Sequence, residues 1–546
     1  MPAADGSSAT HDVVVVGAGI AGLVTALELL DHGRKVLLLD RCEPEEMGGL
    51  AREAFGGLFI VDSPEQRRGG IKDSYELALD DWVRTADLDP EDEWPRRWAE
   101  QYVRVANEEI REWLRKRKIA IFPALNWAER GIFADGNSVP RFHLTWGTGK
   151  RLVDATWEAI QEHPRRNDLE LRFHHRVTKL DDHSVEGVDE AHGDAPFTVN
   201  ANAVVLASGG IGGNLDRVRK EWPSYLGEPP EQMLMGSHYY ADGAMHDEVE
   251  RIGGNVTNLE RMWNYGDAVH HPRPRRPLHG LKLIPPRSGL FMDPSGRRYG
   301  PRPVIPTFDA HDALKTLASQ DKKWGWLICN WKIAVRELDV SGSQHNPNIR
   351  ERRLVPFLLS VLRGKPSLVQ HFVDECEDFV TANSIRELAQ KMNELTGDDS
   401  VDAALLESEV GRYDASIDRG KRLSNDDQLR RIEHLRHWPG DRLRTSKFRK
   451  IVDPGAMPLI AIRLQIMSRK SLGGIQTDLD SRVLTPDGEP VPGLYAVGEA
   501  AGFGGGGVHG KRALEGSFLM GCIITARVAA KAIAESQAAT REAARA

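Results

Sequence analysis

The sequence predicts an α/β protein in which a parallel sheet with a nucleotide-binding turn receives an inserted, α+β second domain. Three observations carry this. Residues 12–40 form a strand, glycine turn, helix and second strand; residues 494–535 return to the same style; and residues 264–450, rich in Pro, Arg and His, contain no such motif. The first unit is the most specific. Val13-Val14-Val15-Val16 is short, β-branched and apolar throughout, as in a parallel strand buried on both faces. Gly17-Ala18-Gly19-Ile20-Ala21-Gly22 follows, then a helical pattern through Leu23, Ala26, Leu27 and Leu30 that Gly33 ends. Val36-Leu37-Leu38-Leu39 is a second strand, tipped by Asp40. Strand, GxGxxG, helix, strand and acid in this register make the Rossmann-like dinucleotide fingerprint. Gly17 permits the tight turn, Gly19 lets the backbone approach a pyrophosphate, and Gly22 lets the helix sit close to the sheet. The free N–H groups at the helix start hold the phosphates. Asp40 takes the ribose hydroxyls and disfavours a 2′-phosphate.

Composition narrows the function classes. At 546 residues the chain is too long for one compact domain. It has 72 basic and 80 acidic residues, with Arg pairs scattered among acids and no basic tract for nucleic acid. Cys42, Cys329, Cys376 and Cys522 lie far apart, without CxxC or a His/Cys cluster at metal spacing. That argues against a zinc site, a dithiol redox pair or a disulfide framework, and fits a cytoplasmic protein. Residues 1–10 are small and polar, unlike a signal peptide, and no uninterrupted apolar stretch predicts a membrane span.

In chain order, the glycine pairs Gly48-Gly49 and Gly56-Gly57 suit backbone pressed against a flat or charged ligand. From 74 to about 118 the pattern is helical, with Tyr75, Leu79, Trp82, Trp98, Tyr102 and Ile110. Residues 119–150 read as an aromatic loop region in which His143 and Trp146 pack a domain interface, and Gly149 opens a helix. Residues 169–173 and 175–180 read as strands and 181–196 as a polar, acidic turn region forming an exposed hairpin. The run 203–207 is another buried strand, leading into Ser208-Gly209-Gly210-Ile211-Gly212-Gly213. This is no second dinucleotide site, because counting from Gly210 puts Leu215 at the third glycine and no acid-tipped strand follows. The loop instead returns to the first nucleotide. Asp242-Gly243 precedes a helix that Gly253-Gly254 ends. Near the end, Leu494-Tyr495-Ala496-Val497, Gly498-Glu499, the glycine-rich loop 502–507, His509-Gly510-Lys511-Arg512 and a helix over 516–535 make another anion-friendly cradle. The predicted nucleotide domain comprises 11–263 and 457–535, the capping domain 264–456, and flexible tails 1–10 and 536–546.

These pieces in this order resemble the flavoprotein family of fumarate reductase and succinate dehydrogenase, together with the 3-ketosteroid dehydrogenases. The likeness covers nearly the whole chain and is strongest at 12–60, 203–254 and 471–535. It implies FAD, a cap over the isoalloxazine, and a cleft for a small-molecule substrate between the two domains. Gly17, Gly19 and Gly22, with Ala18, Ile20 and Ala21 between them, match the pyrophosphate loop; Asp40, with Arg41 beside it, matches the ribose acid. Ala207 and Ser208-Gly209-Gly210 match the family's Ala-Thr/Ser-Gly-Gly turn, and Asp242-Gly243 its Asp-Gly element. Gly473-Gly474 matches the glycine pair beside the flavin and Gly498-Glu499 the ribityl contact. Gly48, Gly49, Gly56, Gly57, Val177, Ser517 and Leu519 complete the candidate FAD contacts. Leu50 stands where members with covalent flavin carry a histidine, so the resemblance implies non-covalent FAD. Arg469-Lys470-Ser471-Leu472-Gly473-Gly474 replaces His-His-Thr-Met-Gly-Gly, and Ala513 stands where fumarate reductases have the carboxylate-clamping arginine, which disfavours a small dicarboxylate. The proton-delivery motif is replaced by Arg297-Arg298-Tyr299-Gly300-Pro301-Arg302. The steroid enzymes' Tyr-Pro-Gly-Pro-Gly is replaced by Ala513-Leu514-Glu515-Gly516-Ser517.

Family chemistry moves a hydride between a saturated carbon and flavin N5 while a proton moves at the neighbouring carbon, which a carbonyl or carboxylate acidifies. The candidates for that oxygen or proton are Lys470, His509, Arg512 and Tyr265, with Arg463 behind them; a structural ion pair or phosphate contact is the alternative for each. The resulting reading is an FAD-dependent dehydrogenase or reductase acting on a CH–CH bond next to a carbonyl, with ketosteroid-like or other cyclic ketones as the substrate class. An FAD oxidase or monooxygenase and a non-catalytic flavin-binding redox protein are the alternatives. No motif names an electron acceptor.

Overall fold

A computed structural model describes residues 11–543 except residues 124, 132, 133 and 182; the tail expected at 1–10 and residues 544–546 lie outside the described residues. Two eight-stranded sheets organise the chain. The first is built on β1 (His11–Val16), α1 (Ile20–Asp31) and β2 (Val36–Leu39). β1 runs parallel to β2 on one side and to strand Ala195–Leu206 on the other. Leu169–Arg172 continues the parallel sheet beyond β2, and Pro490–Ala496 beyond Ala195–Leu206. Both ends of the chain therefore meet in one sheet. Val13, Val14, Val15 and all of β2 are fully buried, which is why these runs are apolar throughout instead of alternating.

α1 packs against the C-terminal helix Ser517–Ala543, where Met520, Ile523, Ala526, Ala530 and Ile533 share a core with Leu23, Leu27 and Leu30. Within that helix, Ser517–Ala539 is long and apolar enough to cross a membrane, but it is mostly buried in the fold. The helix also continues where a tail was expected from 536. Residues 536–543 contain no glycine or proline and are rich in strong helix formers. The stretch 181–196 carries the expected hairpin and extends it: His175–Asp181, Ser184–Asp189 and Ala195–Leu206 form an antiparallel ribbon. Val185 and Gly187 are buried and alternate with the half-buried Ser184, Glu186 and Val188. The strand expected at 203–207 is the buried end of this longer one.

The second sheet is antiparallel apart from one pairing, in the order Leu290–Met292, Gly325–Asn330, Leu459–Ser471, Met262–His270, Gly280–Ile284 and Asp339–Val340. Phe379–Ala382 and Leu234–Met235 also pair with Leu459–Ser471, so this 13-residue strand is the spine of the sheet. The spine lies beyond the expected cap boundary at 456, and Leu234–Met235 lies before 264. The reason is burial on both faces. Residues 459–468 are buried apart from the half-buried Arg463, and a strand of that kind reads like one from the parallel core.

Candidate active site

The turn after β1 is shaped by close approach. Gly17 has φ +105, and a Cβ there would lie 2.5 Å from the Ala207 carbonyl oxygen; a Cβ on Gly22 would lie 1.9 Å from the carbonyl oxygen of Gly17. Only glycine fits either position. Gly19 differs: its φ is −65, and a Cβ there meets nothing within 4 Å because it faces a cavity. Ile20 and Ala21 line the same cavity, and α1 begins without a side-chain cap, leaving its first N–H groups to a ligand. Asp40 is fixed at the edge, accepting from Ala18 N and, at 2.7 Å, from Cys42 N.

The cavity has a volume of about 1030 Å³. It is lined by all the expected FAD contacts except Ala18, Gly22, Gly210, Gly473, Gly474, Gly498 and Ser517. Five of those seven are glycines held in close contact with neighbouring atoms. A Cβ on Gly473 would lie 1.9 Å from the Asn258 carbonyl oxygen, and one on Gly474 2.5 Å from that of Ala500. Gly210 sits against Ser471 and Glu499, and Gly498 against Ala21. An uncapped helix start, a glycine facing open space and an acid on the tip of the next strand fit the pyrophosphate and ribose of FAD.

A second part of the cavity carries the titratable groups. Tyr265 and Asp267 stand two apart on Met262–His270, and both reach the cavity. Lys470 comes from the neighbouring spine strand, Lys282 from Gly280–Ile284, and Glu515 from the turn before the C-terminal helix; all five line the cavity. Lys470 Nζ donates to Tyr265 Oη at 3.2 Å, and Tyr265 donates to Glu515 Oε1 at 2.6 Å. Trp263 Nε1 also donates to Glu515, at 3.1 Å, and Lys282 Nζ lies 3.9 Å from it. Burial holds Lys470 down to about 8, against the pull of Glu515. Burial works upward on Glu515, but Lys470 and Lys282 outweigh it and keep that carboxyl at about 2. Burial, reinforced by Glu515, raises Tyr265 well above the ordinary phenol range. Asp267 is pushed up to about 6 by burial, with Lys282 opposing, and its Oδ1 has no hydrogen-bond partner. A buried carboxylate with a free lone pair, poised near neutrality and facing a cavity, is equipped to accept a proton.

Of the four expected catalytic residues, Tyr265 and Lys470 meet here, whereas His509 and Arg512 do not line the cavity. His509 is fully buried, stacks on Trp82 at 5.4 Å and shares a hydrogen bond with Ser517 Oγ at 2.8 Å. Burial, then Lys470, drives its pKa down to about 3, so it is a neutral core residue and no proton shuttle near neutrality. The loop 502–507, read as flexible, is buried and turns back on itself, and Trp82 Nε1 donates to Val508 O at 2.9 Å; this carries His509 inward. Arg512 pairs with Asp309 at 2.9 Å, and Arg463 with Asp378 at 2.9 Å, the structural alternative in both cases. His143 is likewise structural, held by Ser63 Oγ at 2.7 Å.

Asp267, Glu515 and Lys282 escaped sequence reasoning. A signal existed for the first: Tyr265 and Asp267 are ionisable residues at period two within a strand that is otherwise almost entirely buried. A further cationic group lines the cavity at the hairpin tip. There His271 and His279 stack at 4.3 Å near Arg275, Arg276 and Arg469, and Arg276 Nη2 lies 3.7 Å from Glu53. Two trios also bring possible metal-ligating atoms within 4.8 Å of one another: Cys42, Glu46 and His238, and His270, Glu377 and Asp378. Their carboxylates have protein partners, Glu46 with Tyr239 and Asp378 with His270 and Arg463.

Residues 12–519 match the family described as FAD binding domain. A KsdD-like steroid dehydrogenase of Mycobacterium tuberculosis (strain CDC 1551 / Oshkosh) is 46% identical over 557 aligned positions, covering 97% of each chain. Among solved structures, a 3-ketosteroid delta1-dehydrogenase from Sterolibacterium denitrificans, in complex with 1,4-androstadiene-3,17-dione, superposes with a TM-score of 0.71. It covers 97% of this chain and 100% of that one at 17% identity. The open conformation of a flavocytochrome c3 fumarate reductase superposes with a TM-score of 0.65, covering 97% of this chain and 79% of that one at 20% identity. At those identities the two structures speak to the fold, which they share. Matched over almost its whole length, the chain belongs to the FAD-binding-domain family of flavoproteins, as an FAD-dependent oxidoreductase.

Proposed function

We propose that this dehydrogenase desaturates, or in reverse saturates, the carbon–carbon bond next to the carbonyl of a ketosteroid-like cyclic ketone, with FAD held non-covalently. The observation that carries the reading is the pairing in one cavity of the Asp267 carboxylate, whose Oδ1 has no hydrogen-bond partner, with the Lys470 ammonium held by Tyr265. FAD, when bound, supplies the acceptor for the hydride that leaves the substrate. Asp267 takes the proton from the carbon next to the carbonyl. The Lys470 ammonium, with N–H groups to spare beyond the one it gives Tyr265, stabilises the negative charge that develops on the carbonyl oxygen. Glu515, ionised between Lys470, Lys282 and Tyr265, accepts the Tyr265 hydrogen bond and so orients the phenol oxygen toward Lys470. Low dielectric around these groups strengthens each contact. The relative's printed name supports a steroid substrate, Leu50 in the cavity wall supports non-covalent flavin, and four free, buried cysteines suit a reducing cytoplasm.

The cationic tip favours one refinement. Arg276 Nε makes no hydrogen bond and Nη2 reaches Glu53 only at 3.7 Å, which suits a ketone that also carries an acid group. The test is anaerobic mixing of the yellow protein with 3-ketosteroids, matched steroid acids and methyl esters, and fumarate. Loss of flavin absorbance with the ketones and none with fumarate is expected, and acids reacting faster than esters supports the refinement. Bleaching by succinate, or fumarate oxidising the reduced protein as fast as an unsaturated ketone, overturns the substrate class.

A further inference from the structure

Helix Leu354–Arg363 is inside out. Leu354, Val355, Leu358, Leu359 and Leu362 are 51%, 67%, 46%, 40% and 60% exposed, half of the ten large apolar side chains exposed among the described residues. Their spacing of four along the rows 354/358/362 and 355/359 gathers them on one face. The opposite face anchors the helix, with Phe357 against Phe122 at 5.0 Å and Trp146 at 5.8 Å. Five apolar side chains on one face turned to water mark an interaction surface. Its surroundings are basic. Arg352, Arg353 and Arg363 are exposed at the two ends, and among the described residues none of them forms an ion pair; the one acid adjoining them, Glu351, pairs with Arg350. On a chain of net charge −8 this is a local reversal of sign.

We infer that this helix lies in the interface of a membrane carrying anionic phospholipid, with its leucines among the acyl chains and its arginines at the headgroups. An amphipathic helix with basic flanks has this orientation, its apolar face roughly 5–10 Å deep. A second copy of the chain is the poorer occupant. A two-fold pairing of the helix on itself sets basic ends against basic ends without a carboxylate between them. Anionic lipid supplies the missing countercharge. Arg350 and Glu351, directly before the helix, line the catalytic cavity, so docking places the cavity's rim at the lipid surface. The surface stands without the proposed substrate class, which would gain a route for an apolar ketone from it.

Sedimentation of the FAD-loaded protein with vesicles tests this. Vesicles of phosphatidylglycerol and phosphatidylcholine are expected to bind it at least about tenfold more strongly than phosphatidylcholine alone, with the preference shrinking as salt is added. Leu358→Glu with Leu362→Glu is expected to abolish binding while flavin content stays normal, and Leu358→Ala with Leu362→Ala to weaken it. Arg352→Glu with Arg353→Glu is expected to remove the preference for phosphatidylglycerol. Equal recovery with and without vesicles, or unchanged binding by the glutamate pair, overturns the inference. So does a concentration-dependent dimer that the glutamate pair dissociates, since the face then belongs to a second copy.

Discussion

The two sheets build their parts of the cavity in opposite ways. The parallel sheet contributes backbone: the turn from Gly17 to Gly22 has shape and free N–H groups, and it lies within six consecutive residues. The antiparallel sheet contributes side chains from distant places. Tyr265 and Asp267 lie on one strand, Lys282 on the next, Lys470 about two hundred residues on, and Glu515 outside the sheet altogether. Binding a phosphate asks for local geometry that any sequence with the right glycines can supply. Moving a proton and steadying an enolate ask for charges brought together and dried, and only the tertiary fold supplies that.

The comparison breaks most readily at Gly19. A Cβ there meets no protein atom within 4 Å, so the cost of Gly19→Val falls on the ligand alone. Overpacking of a well-filled site costs about 1–3 kcal/mol, so FAD affinity is expected to fall about 10- to 100-fold with the folded protein unchanged. Flavin content after gel filtration, beside circular dichroism, checks it, and normal yellow protein would show that the turn holds no pyrophosphate.

Asp267→Asn, on the other sheet, is expected to keep FAD and lose about 10²-fold or more in turnover, the scale for a general base. The pH dependence of kcat/KM sharpens this. Asp267 acts ionised, so the rate falls as pH drops below about 6; Lys470 acts as a cation, so it falls as pH rises above about 8. Asp267→Asn should remove the acidic limb and Lys470→Met the alkaline one. An unchanged bell in either variant would detach that residue from the chemistry.

His509→Gln has the smallest expected kinetic effect, because its ring is walled off by Trp82, Phe503 and Phe518. Turnover per flavin should stay within about threefold, while a buried donor or acceptor left unpaired costs about 1–3 kcal/mol of stability, seen as a lower Tm. A large loss of turnover at normal Tm would return His509 to the catalytic group.

Much of the nucleotide half was legible because its signals are local. Asp40 follows β2 directly, and both ends of the chain carry strand–glycine–helix units that share a sheet. Of the titratable groups that meet in the cavity, only Lys470 and Tyr265 were legible. His509 misled because a run of glycines reads as flexible, although here those glycines allow a buried turn that no side chain would fit: a Cβ on Gly502 would lie 2.6 Å from the Leu472 carbonyl oxygen. Glu515 carried no motif, since its role comes from Lys470 and Lys282 meeting it in space. The spine strand's place in the second sheet was not legible, because its burial pattern is that of either sheet.

That spine also has a consequence for how substrate preference is exchanged between relatives. A segment cut at 264 and 456 would leave Leu459–Ser471 behind in the recipient, together with Lys470 and the pairing partner of four other strands. The transplanted sheet would arrive without its middle. A graft that carries specificity must therefore extend through residue 471, to the threshold of Gly473, and bring Leu234–Met235 with it. In this chain, only crossovers outside that strand keep the sheet whole.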